Sequence, residues 1–137
     1  MKRTVNYSLL ALAAFISLWH GNAISHDSDN DSADVVHNSK YSGSKGKEPV
    51  TAHLKFLSND HVIGSYTTSY GQKYLLKGHN HTEGKIFLRE YTQEDGVWSV
   101  TASFTLRKKI QSGKVVWSGL VTDIDGQEYR LIFRKVN

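Results

Sequence analysis

Cysteine is absent from the 137 residues. No disulfide can brace the fold, and no thiolate can serve as nucleophile or metal ligand. Without a cysteine at the predicted cleavage site described below, no lipoprotein anchor is expected there. Proline occurs once, at Pro49, so no proline-rich linker or polyproline segment is present. Long hydrophobic runs are missing too. The longest apolar stretch, Leu9 to Trp19, spans 11 residues, against the ~20 that a membrane-spanning helix needs. There is no Gly-x-Ser-x-Gly, no His-Glu-x-x-His and no phosphate-cradling glycine loop. These absences argue against a hydrolase or nucleotide enzyme, and the chain is read as a non-enzyme with no cofactor.

What is present begins with a targeting pattern. Met1-Lys2-Arg3 is basic, Leu9 to Trp19 is apolar, and Gly21-Asn22-Ala23 is small. That three-part order is a secretory signal peptide. Cleavage is expected after Ala23, with Ser25 as the alternative, which places the mature protein in the periplasm or the medium. Losing Lys2 and Arg3 takes the formal charge of +4 to +2, too mild for a nucleic-acid partner. Residues 24–47 are rich in Ser, Asp, Asn, Gly, Lys and His, with too little apolar surface to offset the entropy of ordering. They read as a flexible polar leader, and residues 48–137 as the folded domain.

From Thr51 onward apolar and polar residues alternate, the mark of half-buried strands. Ala52, Leu54 and Phe56 share one face. Val62, Gly64, Tyr66, Thr68 and Tyr70 share the next, followed by Tyr74 and Leu76. Gly78 to Gly84 reads as a polar loop. Ile86, Leu88 and Glu90 share a face, as do Trp98, Val100, Ala102, Phe104 and Leu106. Val115, Trp117, Gly119 and Val121 follow, then Tyr129, Leu131 and Phe133. Turn signals separate them at Asn59-Asp60, Glu94-Asp95-Gly96, Gln111-Ser112-Gly113 and Asp123-Ile124-Asp125-Gly126. Short connections between successive strands make antiparallel neighbours. A meander of seven or eight strands with one apolar face removes its edges best by closing. The expected fold is a small antiparallel up-and-down β-barrel, with a two-sheet sandwich as the alternative.

One pattern occurs twice. Gly64, Thr67, Gly71, Gln72, Tyr74 and Leu76 return at the same spacing as Gly119, Thr122, Gly126, Gln127, Tyr129 and Leu131. This predicts two hairpins of the same build, with Gly64 and Gly119 where the wall bends or a large side chain crosses. The run Ile63-Gly64-x-Tyr66, Leu75-Leu76-x-Gly78, Ile86-x-Leu88-x-Glu90, Trp117-x-Gly119 and Tyr129-x-Leu131-x-Phe133 resembles small meander domains of exported bacterial proteins. More loosely, it resembles avidin-like and lipocalin-like barrels. The resemblance implies a fold and a compartment, and no biotin-binding pattern accompanies it.

Several residues are candidates for chemistry. Glu90 faces inward among apolar neighbours, and a buried carboxyl is costly unless paired, so it is expected either to have a partner, with Arg130 the candidate, or to lie at the open end of the barrel. Glu90, Tyr66, Trp98 and Trp117 are the expected ligand-binding set inside the barrel. His79-Asn80-His81 offers two imidazoles at i and i+2, a weak metal site on an extended segment. The same tripeptide and Arg107-Lys108-Lys109, expected at a hairpin end, are candidate partner contacts. Asp27, Asp29 and Asp31 match the first ligands of a calcium loop, but Ser32 stands where glycine is required and Asn38 where the bidentate glutamate belongs. The expected function is an exported, non-catalytic binding module. Its mouth and loops would hold a small molecule or an envelope protein. The alternative is an inhibitor or immunity protein that blocks a cell-wall hydrolase with the Gly78–Gly84 loop.

Overall fold

The computed structural model describes residues 33–82 and 84–137. The expected signal peptide, the Asp27/Asp29/Asp31 run, His26 and Glu83 lie outside the described residues. Eight strands follow one another: β1 (Val35–Lys45), β2 (Glu48–Leu57), β3 (His61–Thr68), β4 (Lys73–Thr82), β5 (Lys85–Glu94), β6 (Val97–Gln111), β7 (Lys114–Asp123) and β8 (Glu128–Lys135). Each is antiparallel to the next, and β1 pairs with β8 to close the barrel. The meander barrel is therefore the fold, and the sandwich is set aside. Among the described residues no helix is long and apolar enough to cross a membrane.

The barrel is filled. Leu54, Val62, Tyr66, Leu76, Ile86, Leu106, Val121, Leu131 and Phe133 are wholly buried, and they form one cluster with Phe104, Leu88 and Trp117. The repeated pattern is a repeated hairpin. Gly71 N–H donates to Thr68 O and Thr68 N–H to Gln72 O, each at 2.9 Å; Gly126 to Asp123 O and Asp123 to Gln127 O repeat both bonds at 2.9 Å. Gly71 and Gly126 carry φ of +86° and +84°, a region that costs glycine nothing. The side chains of Thr68 and Asp123 cap their turns alike, each accepting from two backbone N–H groups.

Gly64 and Gly119 allow close approach rather than a turn. A Cβ at Gly64 would lie 2.1 Å from His53 O, and one at Gly119 1.9 Å from Thr105 O. Their cross-strand partners are the buried Leu54 and Leu106.

Three expectations give way. The first is the leader. From Val35 onward it is β1, paired along its length with β2 and, over Tyr41–Lys45, with β8. Composition hides it because its backbone supplies the ladder bonds while most of its side chains face water, with Tyr41 alone buried. The second is the loop from Gly78, which is strand as far as Thr82 and is paired with β3 and β5. The third is the inward face of β6. Glu90 pairs with Ala102 and Tyr91 with Val100, so Thr101 is an extra residue in the ladder. Such a β-bulge reverses the alternation behind it. Trp98 and Val100 therefore sit on the outer wall, packed against Ile63, Leu75 and Tyr91.

Candidate functional site

Closure places the inward side chains of eight strands at two ends, and the ends differ. At one, Lys45 enters the barrel. Its Nζ lies 5.9, 5.8 and 5.3 Å from the ring centroids of Tyr66, Tyr74 and Tyr129, within cation–π range of all three. It donates to the Tyr66 hydroxyl at 3.4 Å and stands 3.9 Å from Glu90 Oε2. Glu90 is 3 % exposed. It accepts from the Tyr66 hydroxyl and, at 2.7 Å, from Thr101 Oγ1.

The partner of Glu90 is thus Lys45 with two hydroxyls, not Arg130, which is exposed on the outer wall beside Leu120. The Thr101 bulge is what turns that hydroxyl inward. Burial, then the Glu90 charge and its hydrogen bond, pushes the Tyr66 pKa well above that of a free phenol. Burial and the charges of Glu90 and Glu48 raise Tyr74 likewise. This end is a polar plug, in which Glu90, Tyr66, Thr101 and Lys45 hold one another.

The opposite end is open. A cavity of about 300 Å³ lies there, at the small end of ligand-site volumes. Phe56 and Trp117 stack across it, centroids 5.8 Å apart at 20°. His37 stands edge-on to Phe56 at 6.3 Å. Ser39, Tyr41, Asp60, Asn80, Lys108 and Lys135 complete most of the lining. Register explains their convergence, because directly paired residues share a face: Lys108 pairs with the inward Trp117, Lys135 with Tyr41, His37 with Phe56 and Asn80 with Ile86. Hydrogen bonds from Asn80 N–H to Asp60 O, from Ser58 N–H to Asp34 O and from Asp34 N–H to Ser58 Oγ fasten the rim.

Two polar atoms in this cavity have no hydrogen-bond partner among the described residues: Trp117 Nε1 and Asn80 Oδ1. Trp117 is 5 % exposed. Burial raises the Tyr41 pKa, opposed by side-chain hydrogen bonding toward Trp117 and Ser39; that approach of the indole N–H does not meet the distance and angle of a full hydrogen bond. Buried polar atoms are nearly always paired, and two unpaired ones in a single cavity are uncommon.

The expected site residues are therefore divided. Glu90 and Tyr66 belong to the plug, Trp117 to the cavity, and Trp98 to the outer wall. His79 and His81 project outward from β4, both resting against the Phe87 ring, with their own rings 6.5 Å apart. Among the described residues no three His, Cys, Asp or Glu gather as a metal site. Asn80 between them points the other way, into the cavity. Arg107, Lys108 and Lys109 lie in β6, not at its end, with Lys108 inward and its neighbours outward.

Lys45, Thr101, Tyr41, Phe56 and Lys135 escaped sequence reasoning as site residues. Extending the alternation Phe104, Leu106 would have reached Lys108, and Leu76, Gly78 would have reached Asn80. Compared with known proteins, the chain matches no family model, no curated protein and no solved structure.

Proposed function

We propose that this barrel is a non-catalytic binding module that takes a small molecule into the Trp117 end. The observation that carries the reading is the pair of unpartnered polar atoms, Trp117 Nε1 and Asn80 Oδ1, in one cavity floored by stacked aromatic rings. Each unpaired buried polar group costs about 1–3 kcal/mol. A ligand offering an acceptor to the indole and a donor to the amide recovers that cost. The apolar rings supply area, and the polar atoms supply orientation, the usual division of labour in ligand pockets.

The non-catalytic part of the proposal is supported by Glu90, the one buried charged residue among those described, being fully engaged within the plug. The amino-terminal pattern of residues 1–23 supports an envelope or extracellular workplace. The inhibitor alternative drew on a protruding Gly78–Gly84 loop, and with strand as far as Thr82 that motive is gone.

Trp98 provides an internal control for the test, because it lies on the outer wall. In a proton–nitrogen correlation spectrum, titration with a panel of small planar aromatics should move the Trp117 indole N–H resonance saturably and leave that of Trp98 in place. Trp117→Phe should abolish binding while the barrel stays folded. A Trp117 resonance that no member of the panel shifts at millimolar concentration would sink the proposal.

A further inference from the structure

We infer that the ligand of the Trp117 end is a small organic anion, a carboxylate on a flat apolar body that also carries a hydrogen-bond donor. The inference rests on the cavity reading above and adds the chemical class. Its basis is how charge is distributed around the mouth.

In a closed barrel of eight strands, β4 and β8 lie four strands apart in either direction and face each other. On the β8 side stand Lys135 and, on adjacent β1, His37; β6 contributes Lys108. With Trp117 Nε1 these make a wall of donors. Opposite Lys135 is Asn80 Oδ1 on β4, joined to Asp60 in the turn before β3 through Asn80 N–H to Asp60 O at 2.8 Å, while Lys108 on β6 stands midway between β4 and β8. The Asn80 wall accepts. Among the described residues neither Lys108 nor Lys135 has a carboxylate within salt-bridge distance, so both ammonium groups are available to an anion.

Asp60 repels a carboxylate from the accepting wall, and the lysines attract it to the other, so a bound anion has one orientation. Its headgroup lies toward Lys108, Lys135 and the indole N–H. Its body lies on the Phe56–Trp117 stack, whose rings 20° apart select a flat shape. A hydroxyl or amino group at the far end reaches Asn80 Oδ1. A neutral ligand of the same outline would leave the lysines unused, and an organic cation would meet them directly.

The test is calorimetric titration of the full chain with para-hydroxyphenylacetate, its neutral amide and phenylacetate. The acid should bind at least about tenfold more tightly than the amide, roughly the gain from one added charge-assisted hydrogen bond. Phenylacetate, without the hydroxyl, should fall between them. Lys108→Gln with Lys135→Gln should erase the preference for the acid. Arg107→Gln, the same loss of charge on the outer wall of β6, should preserve it.

Equal binding of acid and amide, or a preference that survives the double lysine variant, overturns the anion assignment. In that case the cavity reading stands if the Trp117 indole still responds to the amide. Failure of all three probes overturns the assignment as well, and the neutral aromatic panel then decides whether the cavity binds anything.

Discussion

Glu90 shows how one inward carboxylate organises its surroundings. With Tyr66, Thr101 and Lys45 around it, the group serves cohesion, and the cavity lies at the other end of the barrel. Glu90→Gln should therefore destabilise the protein by about 1–3 kcal/mol, the range for weakening a buried hydrogen-bonded charge, measured by urea unfolding. The response of Trp117 to ligand should be unchanged. A variant of normal stability that loses binding would mean that the plug and not the cavity is the site. The tyrosines make a second residue-scale prediction. Burial, the largest cause in each, raises the pKa of Tyr41, Tyr66, Tyr74 and Tyr91. A group whose folded pKa exceeds its unfolded value near 10 contributes stability that is present below that pH and lost as pH rises through and above it. Stability should thus fall on alkalinisation beyond about pH 10, with buried phenols ionising together with unfolding in an absorbance titration. Tyr66→Phe should flatten that fall; an unchanged slope would show that Tyr66 contributes nothing to it.

At the scale of elements, the two matched hairpins are the most legible part of the chain. Their turns follow from Gly71 and Gly126 at positive φ, and their wall positions from Gly64 and Gly119 beneath a neighbouring carbonyl. Gly119→Ala must displace the Thr105 backbone, and a backbone clash has no flexible side chain to absorb it. A loss of more than about 3 kcal/mol is expected. Gly113→Ala, where nothing lies within 4 Å of a Cβ but φ is +78°, should cost about 1 kcal/mol. Thermal unfolding of the two variants would compare them, and equal costs would refute the close-approach account. The β6 bulge shows the limit of pattern reading. Trp98 and Val100 continue the alternation of Ala102 and Phe104 without a break, so nothing in the local pattern marks Thr101 as the extra residue. Only the pairing with β5, and the carboxyl that Thr101 meets there, reveals it.

For the whole molecule, closure is the decisive event, and β1 performs it. Removing residues up to Lys47 deletes a strand whose composition looks dispensable. The truncated chain would expose the edges of β2 and β8 and lose Lys45 from the plug. It should fail to fold cooperatively and should associate through its edges, as judged by circular dichroism and size-exclusion chromatography. A stable monomer after this truncation would restore the flexible-leader reading. Closure also creates the cavity, since Lys135 on β8 and Asn80 on β4 come from opposite sides of the barrel, with Lys108 on β6 between them.

Period-two alternation and turn residues act over a few neighbours, so the meander of short strands and the shared build of two hairpins can be read from the chain alone; that the interior is filled is a finding of the fold. Register, the bulge at Thr101, the pairing of β1 with β8 and the meeting of Trp117 with Asn80, Lys108 and Lys135 depend on residues far apart in the chain. These emerge on folding, because a ladder bond or a cross-barrel contact is set by which strands lie side by side, and no local pattern records that.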